Sequence, residues 1–283
     1  MSEPRYDTNL TKQRFKRLRD YCEKEAHIAP CHFDCSKVDC CQQKVNSRGL
    51  DLVSGGLAHV GEKYDICFDD KSLRILFVGY DYGNCCATLE QRRRSIQCLS
   101  GPDLNKSPHY KGIVKVMMEI FQCKCGSEAD TGSWRPLLKR MSQTNATRCC
   151  APKEGRMGCN TTEGMRTNCW PHFKKEIELL QPTIIVFHGA ALKDSFLHNL
   201  DSAERRTLCS SELSEHCQHV TWESFPAPFK SFLLFFNHPG HGQFGRQWDT
   251  KVLPVLKGLR DDGRLPSPNT DWKPRKRKEW PRI

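Results

Sequence analysis

Apolar residues fall into three short runs, each leading into a glycine-bearing polar loop. Leu73-Arg74-Ile75-Leu76-Phe77-Val78 enters Gly79-Tyr80-Asp81-Tyr82-Gly83. Thr183 to Phe187 enters His188-Gly189, and Phe232 to Phe236 enters Asn237-His238-Pro239-Gly240. Continuous runs of this length predict strands buried on both faces. The intervening segments follow a helical period. Ile113, Val116, Met117 and Ile120 align within residues 110–121. Phe173, Ile177 and Leu180 align in a helix with Pro171 near its first turn, and Pro182 ends it. At the N-terminus, Phe15, Leu18 and Cys22 share one face of a helix over 8–25, capped by Thr8 or Thr11. Lys12, Arg14, Lys16, Arg17 and Arg19 surround that face. Strands alternating with helices predict an α/β domain with a mainly parallel sheet. Ligands of such sheets bind beyond the carboxyl ends of the strands, so the loops after Val78, Phe187 and Phe236 are expected to share one site.

Composition changes this picture in two respects. The chain has 283 residues, 44 Lys plus Arg against 33 Asp plus Glu, and a net charge of +11, which makes a polyanion the first partner to consider. The first twenty residues hold no apolar signal-peptide core, and no apolar run is long enough to span a bilayer. An intracellular protein is expected, nuclear in a eukaryote and otherwise cytoplasmic, with no membrane partner. Its expected domains are a basic helical extension over 1–30, an α/β domain over 31–262 and a basic, proline-containing tail over 263–283. Arg275-Lys276-Arg277-Lys278 in that tail is a nuclear address, a nucleic-acid hook or a solubilising run.

The second respect is cysteine. In a reducing compartment the 17 cysteines read as metal ligands before disulfides. Two groups stand out: Cys31, Cys35, Cys40 and Cys41, then Cys149, Cys150, Cys159 and Cys169. Adjacent strand residues point to opposite faces, so only one of Cys149 and Cys150 readily faces one centre. The spacing points to a metal or iron–sulfur site, with zinc the main competitor.

Thr144-Asn145-Ala146-Thr147-Arg148-Cys149, followed by Cys169 and the helix and strand through Gly189, resembles the iron–sulfur uracil-DNA glycosylases of families 4 and 5. Three further stretches resemble that family. Leu76 to Gly83 is similar to its water-activating loop, Ser107 to Gly112 to its base-stacking loop, and Asn237 to Gly240 to its His-Pro motif. The resemblance implies a three-layer α/β/α fold with a central, mainly parallel four-stranded sheet. It also implies a monomer that flips uracil, or another deaminated base, out of DNA and hydrolyses its N-glycosidic bond for base excision repair. Asp81 and His238 would be catalytic, the first orienting water and stabilising the cationic sugar, the second donating to the departing base. Tyr80, Tyr82, Gly83, Tyr110 and Asn145 would bind the base. The Asn145 amide offers one donor and one acceptor to the uracil edge, and Tyr110 stacks on it, with His109 the alternative. Phe244 would be the wedge that fills the gap in the DNA, or a core residue. A [4Fe–4S] cluster would be held by Cys31, Cys35, Cys149 and Cys169, with Cys40 or Cys41 able to replace either of the first two.

The chain departs from the family at Tyr80, where a Glu or another polar residue is usual, and at Tyr82, where Pro is usual. Gly83 stands where stringent uracil enzymes carry a Tyr that excludes thymine. Two other classes therefore stay open: a catalytically inactive nucleic-acid-binding relative, and a zinc-stabilised regulatory module. His188 has no role in this reading, and Arg92-Arg93-Arg94 reads as a solvated run or a phosphate contact.

Overall fold

The computed structural model describes residues 4–28, 34–46, 48–54, 57–80, 88–99, 106–122, 134–151, 161–210, 217–240 and 242–266. Twelve strands occur among them. They are β1 (Arg5–Tyr6), β2 (Val53–Ser54), β3 (His59–Val60), β4 (Ile66–Phe68), β5 (Lys71–Leu73) and β6 (Ile75–Gly79). The chain continues with β7 (Ser142–Asn145), β8 (Cys149–Cys150), β9 (Ile184–His188), β10 (Cys209–Ser210), β11 (Cys217–Thr221) and β12 (Lys230–Phe236). Seven form the main sheet, in the order β10-β11-β12-β9-β6-β7-β3. The central β12, β9, β6 and β7 run parallel, whereas β11, β10 and β3 are antiparallel to their neighbours.

The fold is mixed α/β, and the sheet is wider than the four strands expected. The extra strands are short or carry polar residues such as His59, Gln218 and His219, so no apolar run marks them. The central strands do show the two-sided burial their runs predict. Ile75, Phe77, Val186, Leu234 and Phe236 pack on one side with helices Pro108–Phe121 and Leu253–Asp261. Leu76, Val78, Ile185, Phe187 and Leu233 pack on the other with helices Thr8–Asp20, Glu163–Leu180 and Ala190–Asn199. Each such residue contributes about 1.5–3 kcal/mol through burial.

Several helix limits differ from expectation. Asp7, not Thr8 or Thr11, caps the first helix by accepting from Leu10 N at 2.8 Å, because its carboxylate reaches the orphan N–H groups of the first turn. That helix ends at Asp20 and continues as a π-helix over Tyr21–Glu25. Helix Glu163–Leu180 starts earlier than Pro171 suggests. Thr162 caps it, and Pro171 lies in its interior. No helix among the described residues is long and apolar enough to cross a membrane.

The first helix belongs to the core. Arg14, only 8% exposed, pairs through Nε with Asp65 Oδ1 at 2.9 Å and donates to Leu179 O and Gln181 Oε1. Thr11 Oγ1 donates to the second Asp65 oxygen. Gln181 is the left-handed cap of the helix leading into β9, so this cluster fixes where that strand begins. Removing one partner of a buried pair leaves the other charge uncompensated. Asp65→Ala is expected to lower unfolding stability by about 3–5 kcal/mol in urea denaturation. A change below about 1 kcal/mol, the range of exposed pairs, would refute this account.

Candidate functional site

The chain order of the parallel strands places a topological switch between β6 and β9. β7 lies on one side of β6, and the later strands β9 and β12 lie on the other. The crevice outside such a switch is where open α/β sheets bind ligands. Gly79, Asn145, His188 and Asn237-His238 all sit at this end of the sheet.

His238 is held by its own loop. The backbone N–H of Gly240 donates to His238 Nδ1 at 3.0 Å. Because Nδ1 accepts, the ring proton of the neutral imidazole is assigned to Nε2, which makes that atom a donor. Pro239 packs against Gly112, where an added Cβ would come within 2.2 Å of the proline ring. The His-Pro loop and the helix Pro108–Phe121 therefore meet without an intervening side chain.

Asn145 is 2% exposed at the end of β7, opposite Gly79 in the register. A Cβ at Gly79 would lie 2.8 Å from Asn145 Oδ1 and 3.5 Å from His109 Cε1. Glycine at this position leaves room for both side chains. Two hydrogen bonds, Ala146 N to Gly79 O and Thr147 Oγ1 to Tyr80 O, fasten the loop after Asn145 to the end of β6. Tyr80 packs on Gly189, whose φ of 142° is a conformation that L side chains rarely adopt. The Tyr80 hydroxyl accepts from Ala191 N. Asp81, Tyr82 and Gly83 lie outside the described residues.

His109, rather than Tyr110, is the aromatic ring against Gly79 and Asn145. It stacks on His238 with centroids 5.6 Å apart and meets His188 edge-on at 5.3 Å. Its Nε2 hydrogen-bonds with Gln143 Nε2 at 2.9 Å, so Nε2 is the acceptor. Tyr110 packs partly against the core, and its hydroxyl accepts from Arg92 at 2.9 Å. One residue of helix is about a 100° turn, which separates the two rings. The arginine run is divided likewise. Arg92 is 6% exposed, Arg93 lies over the Phe15 ring at 3.6 Å, and only Arg94 is exposed. Phe244 is 5% exposed and packs against His188 and Trp248. Its ring belongs to the core in this conformation and is not offered as a wedge, because helix Gly242–Gln247 turns it inward.

Behind the crevice the thiols gather. Cys149 hydrogen-bonds with both Cys41 and Cys169, and Cys35 lies within electrostatic reach of Cys41 and Cys169. Donation from Cys149 pulls the Cys41 thiol below its usual range. Two N–H groups point at sulfur: Asn168 Nδ2 at Cys41, 3.4 Å, and Arg148 N at Cys169, 3.3 Å. Cys41, one of the alternatives for Cys31 or Cys35, stands with Cys149 and Cys169, while Cys31 lies outside the described residues. Helical periodicity explains the choice: Cys41 and Val45 occupy the buried face of helix Val38–Asn46, while Cys40 is exposed. Among the described residues no group of three or more His, Cys, Asp or Glu side chains stands in a metal-holding arrangement. The donor set is nevertheless all sulfur, with N–H groups directed at it, which is the chemistry of an iron–sulfur or zinc site.

His188 and the Arg148–Glu176 pair are given no role by the sequence. His188 has no exposure, and neither ring nitrogen has a hydrogen-bond partner among the described residues. Arg148 and Glu176, 1% and 0% exposed in their side chains, pair at 2.8 Å beneath the loop that joins Asn145 to Cys149. A histidine ending an apolar run was the only signal for the first, and the pair left none. Comparison with protein-family models finds no match, and comparison with curated proteins finds none either.

Burial depresses the imidazoles. His59 and His109 are both pushed down to about 3, and His188 lies well below the usual histidine range, in each case chiefly by desolvation. His59 Nε2 donates to Leu138 O, and Arg92 and Arg93 disfavour its cation further. From the unfolded pKa of about 6.5 downward, the unfolded chain binds more protons than the folded one. Stability is therefore complete above that pH and falls as pH drops toward 3. The slope is at most about 1.4 kcal/mol per pH unit for each such histidine. His59→Asn is expected to flatten the melting-temperature profile between pH 6.5 and 4 and to leave its slope above pH 7.5 unchanged. An identical acid slope in the variant would show that this imidazole titrates normally in the fold.

Proposed function

We propose that the chain is a uracil-DNA glycosylase of the iron–sulfur type, hydrolysing the N-glycosidic bond of uracil or another deaminated base flipped from DNA. The observation that carries the reading is that a buried Asn145 amide and the Nε2–H donor of His238 stand at the same end of the sheet, by the switch between β6 and β9, with His109 stacked on His238 and beside Gly79, which Asn145 also flanks. One side chain matches the edge of a keto base, and the other is placed to donate to a base oxygen. The order of the four motifs and the packing of helices on both faces of the sheet support the same reading.

In this reaction the bond between the sugar C1′ and the base nitrogen breaks, and its electron pair leaves with the base. Negative charge appears on a base oxygen and positive charge on the sugar. His238 Nε2–H donates to that oxygen as the charge develops, while the Gly240 N–H on Nδ1 keeps the imidazole in the donating tautomer. The carboxylate of Asp81 stabilises the cationic sugar and takes a proton from the water that adds to C1′. Asn145 accepts from the uracil N–H and donates to the neighbouring carbonyl. His109, the ring beside Gly79, replaces Tyr110 as the aromatic wall of the pocket.

Cys35, Cys41, Cys149 and Cys169 would hold a [4Fe–4S] cluster, whose chemistry here is a structural cross-link among three chain segments. Arg166, which lies over the Tyr80 ring at 5.9 Å, is positioned at the rim for a DNA phosphate. The thiol-only donor set equally suits zinc, so anaerobic purification with iron, sulfide and zinc analysis distinguishes the two.

The decisive measurement is abasic-site formation on a uracil-bearing oligonucleotide. His238→Ala is expected to slow excision about 100- to 1000-fold and Asp81→Asn by at least about 100-fold. Full activity in both variants would overturn the assigned roles. Salt-dependent DNA binding without any abasic product would favour the inactive relative. Gly79→Ala tests the pocket separately. Its Cβ would displace the Asn145 amide, so base binding should be lost with only about 1 kcal/mol of stability. Unaltered uracil affinity in that variant would remove Asn145 from the pocket.

A further inference from the structure

The Arg148–Glu176 pair performs no step of the proposed reaction, yet it is the least solvated ion pair among the described residues. Helix Glu163–Leu180 carries Cys169 and Glu176 two turns apart, on the same face. Arg148 joins both: its backbone N–H donates to Cys169 Sγ, and its Nη2 donates to Glu176 Oε2 at 2.8 Å. The same Glu176 oxygen accepts from Thr144 Oγ1, and Arg148 Nη1 donates to Thr144 Oγ1 at 3.0 Å. These bonds close on both ends of the segment Thr144–Arg148, which contains Asn145. Glu176 Oε1 and Arg148 Nε have no hydrogen-bond partner among the described residues. A buried pair satisfied this incompletely costs desolvation that a well-packed apolar pair would not. Its stabilising value alone does not account for it, whereas its geometry has a definite consequence for Asn145.

We propose that Thr144, Arg148 and Glu176 are positioning residues that couple the thiol site to the base-reading amide. With the thiol site loaded, Cys169 and its helix are held, Glu176 is held with them, and the end of β7 presents Asn145 to the base. With the metal stripped, the helix and the segment Thr144–Arg148 lose a common anchor. Metal and base then each favour the same arrangement and tighten one another's binding by an equal factor. This inference rests on the proposed glycosylase reading, because it takes Asn145 as the residue that meets the base.

The experiment is calorimetric titration of free uracil into metal-loaded and chelator-stripped protein, for the wild type, Thr144→Val and Thr144→Ser. Valine keeps the β-branched shape of the strand residue and removes only the hydroxyl; serine restores it. Loading is expected to tighten uracil binding about tenfold in the wild type, the scale of one buried hydrogen bond to a charged group. Loaded Thr144→Val should keep wild-type iron content, bind uracil about tenfold more weakly, and show a higher KM with little change in kcat. Thr144→Ser should recover the wild-type values. If stripping unfolds the protein, the loaded valine and serine variants decide alone. Wild-type uracil affinity in loaded Thr144→Val would overturn the coupling while leaving the glycosylase reading intact. A wild-type protein that neither binds uracil nor excises it would remove the reading itself.

Discussion

A single ion pair without access to water holds together the two regions to which chemistry is assigned. Arg148 and Glu176 reach the end of β7, the helix Glu163–Leu180 and, through the Arg148 backbone, the sulfur of Cys169. The carboxyl of Glu176 is pushed above the usual carboxylate range by its complete burial, against the pull of Arg148 and Thr144. Such a pair tolerates little displacement, because moving either partner exposes the other to an apolar interior. The short loop between Asn145 and Cys149 is thereby fixed at its base, and its bonds to Gly79 O and Tyr80 O carry the same constraint to β6. One buried network, rather than many surface contacts, thus links this loop to the helix Glu163–Leu180.

The sheet supplies the rest of the geometry. Parallel strands deliver their loops to one end, and the switch in strand order between β6 and β9 opens the crevice there. Close backbone approaches then remove side chains where they would obstruct. Gly79 leaves space for Asn145 and His109, Gly112 admits Pro239, and Gly189 admits the Tyr80 ring. Three glycines on three different elements thus decide how tightly the loops converge, and two of them, Gly79 and Gly189, are the glycines that follow the first two apolar runs.

Much of this was legible in the chain, and the limits have physical causes. The central strands announce themselves because burial on both faces demands continuous apolar residues, as in Ile75 to Val78 and Ile184 to Phe187. The outer strands escape because strands near a sheet margin need not be buried on both faces and so accommodate half-buried polar residues such as His219 and Gln218 in β11. Pro171 misleads because a proline is tolerated inside a helix when surrounding contacts over-determine it. Within the site, Asn145 and His238 follow from motif order. The exchange of Tyr110 for His109 does not, since a single residue of helical rotation decides which ring faces Gly79. Cys41 was one of the stated alternatives for a ligand, and its spacing of four from Val45 marks the buried face. Arg148 and Glu176 stay hidden because sequence records two ordinary charged residues, and only the fold reveals that they share an interior.

The electrostatics of the interior and the exterior oppose one another in a way that suits the proposed substrate. The chain carries +11 overall, yet the crevice side of the sheet holds imidazoles that burial keeps neutral, and the buried cations Arg92 and Arg148 are engaged by Tyr110 and Glu176. A cationic pocket would attract phosphate as readily as base and would gain nothing from a neutral heterocycle. A neutral pocket bearing fixed donors and acceptors discriminates by hydrogen-bond pattern, because a wrong base leaves buried polar groups unpaired. Charge on the surface and neutrality within therefore divide recognition into two tasks. In the proposed reaction the surface would hold the nucleic acid through its backbone, and the crevice would select a base by the atoms along its edge.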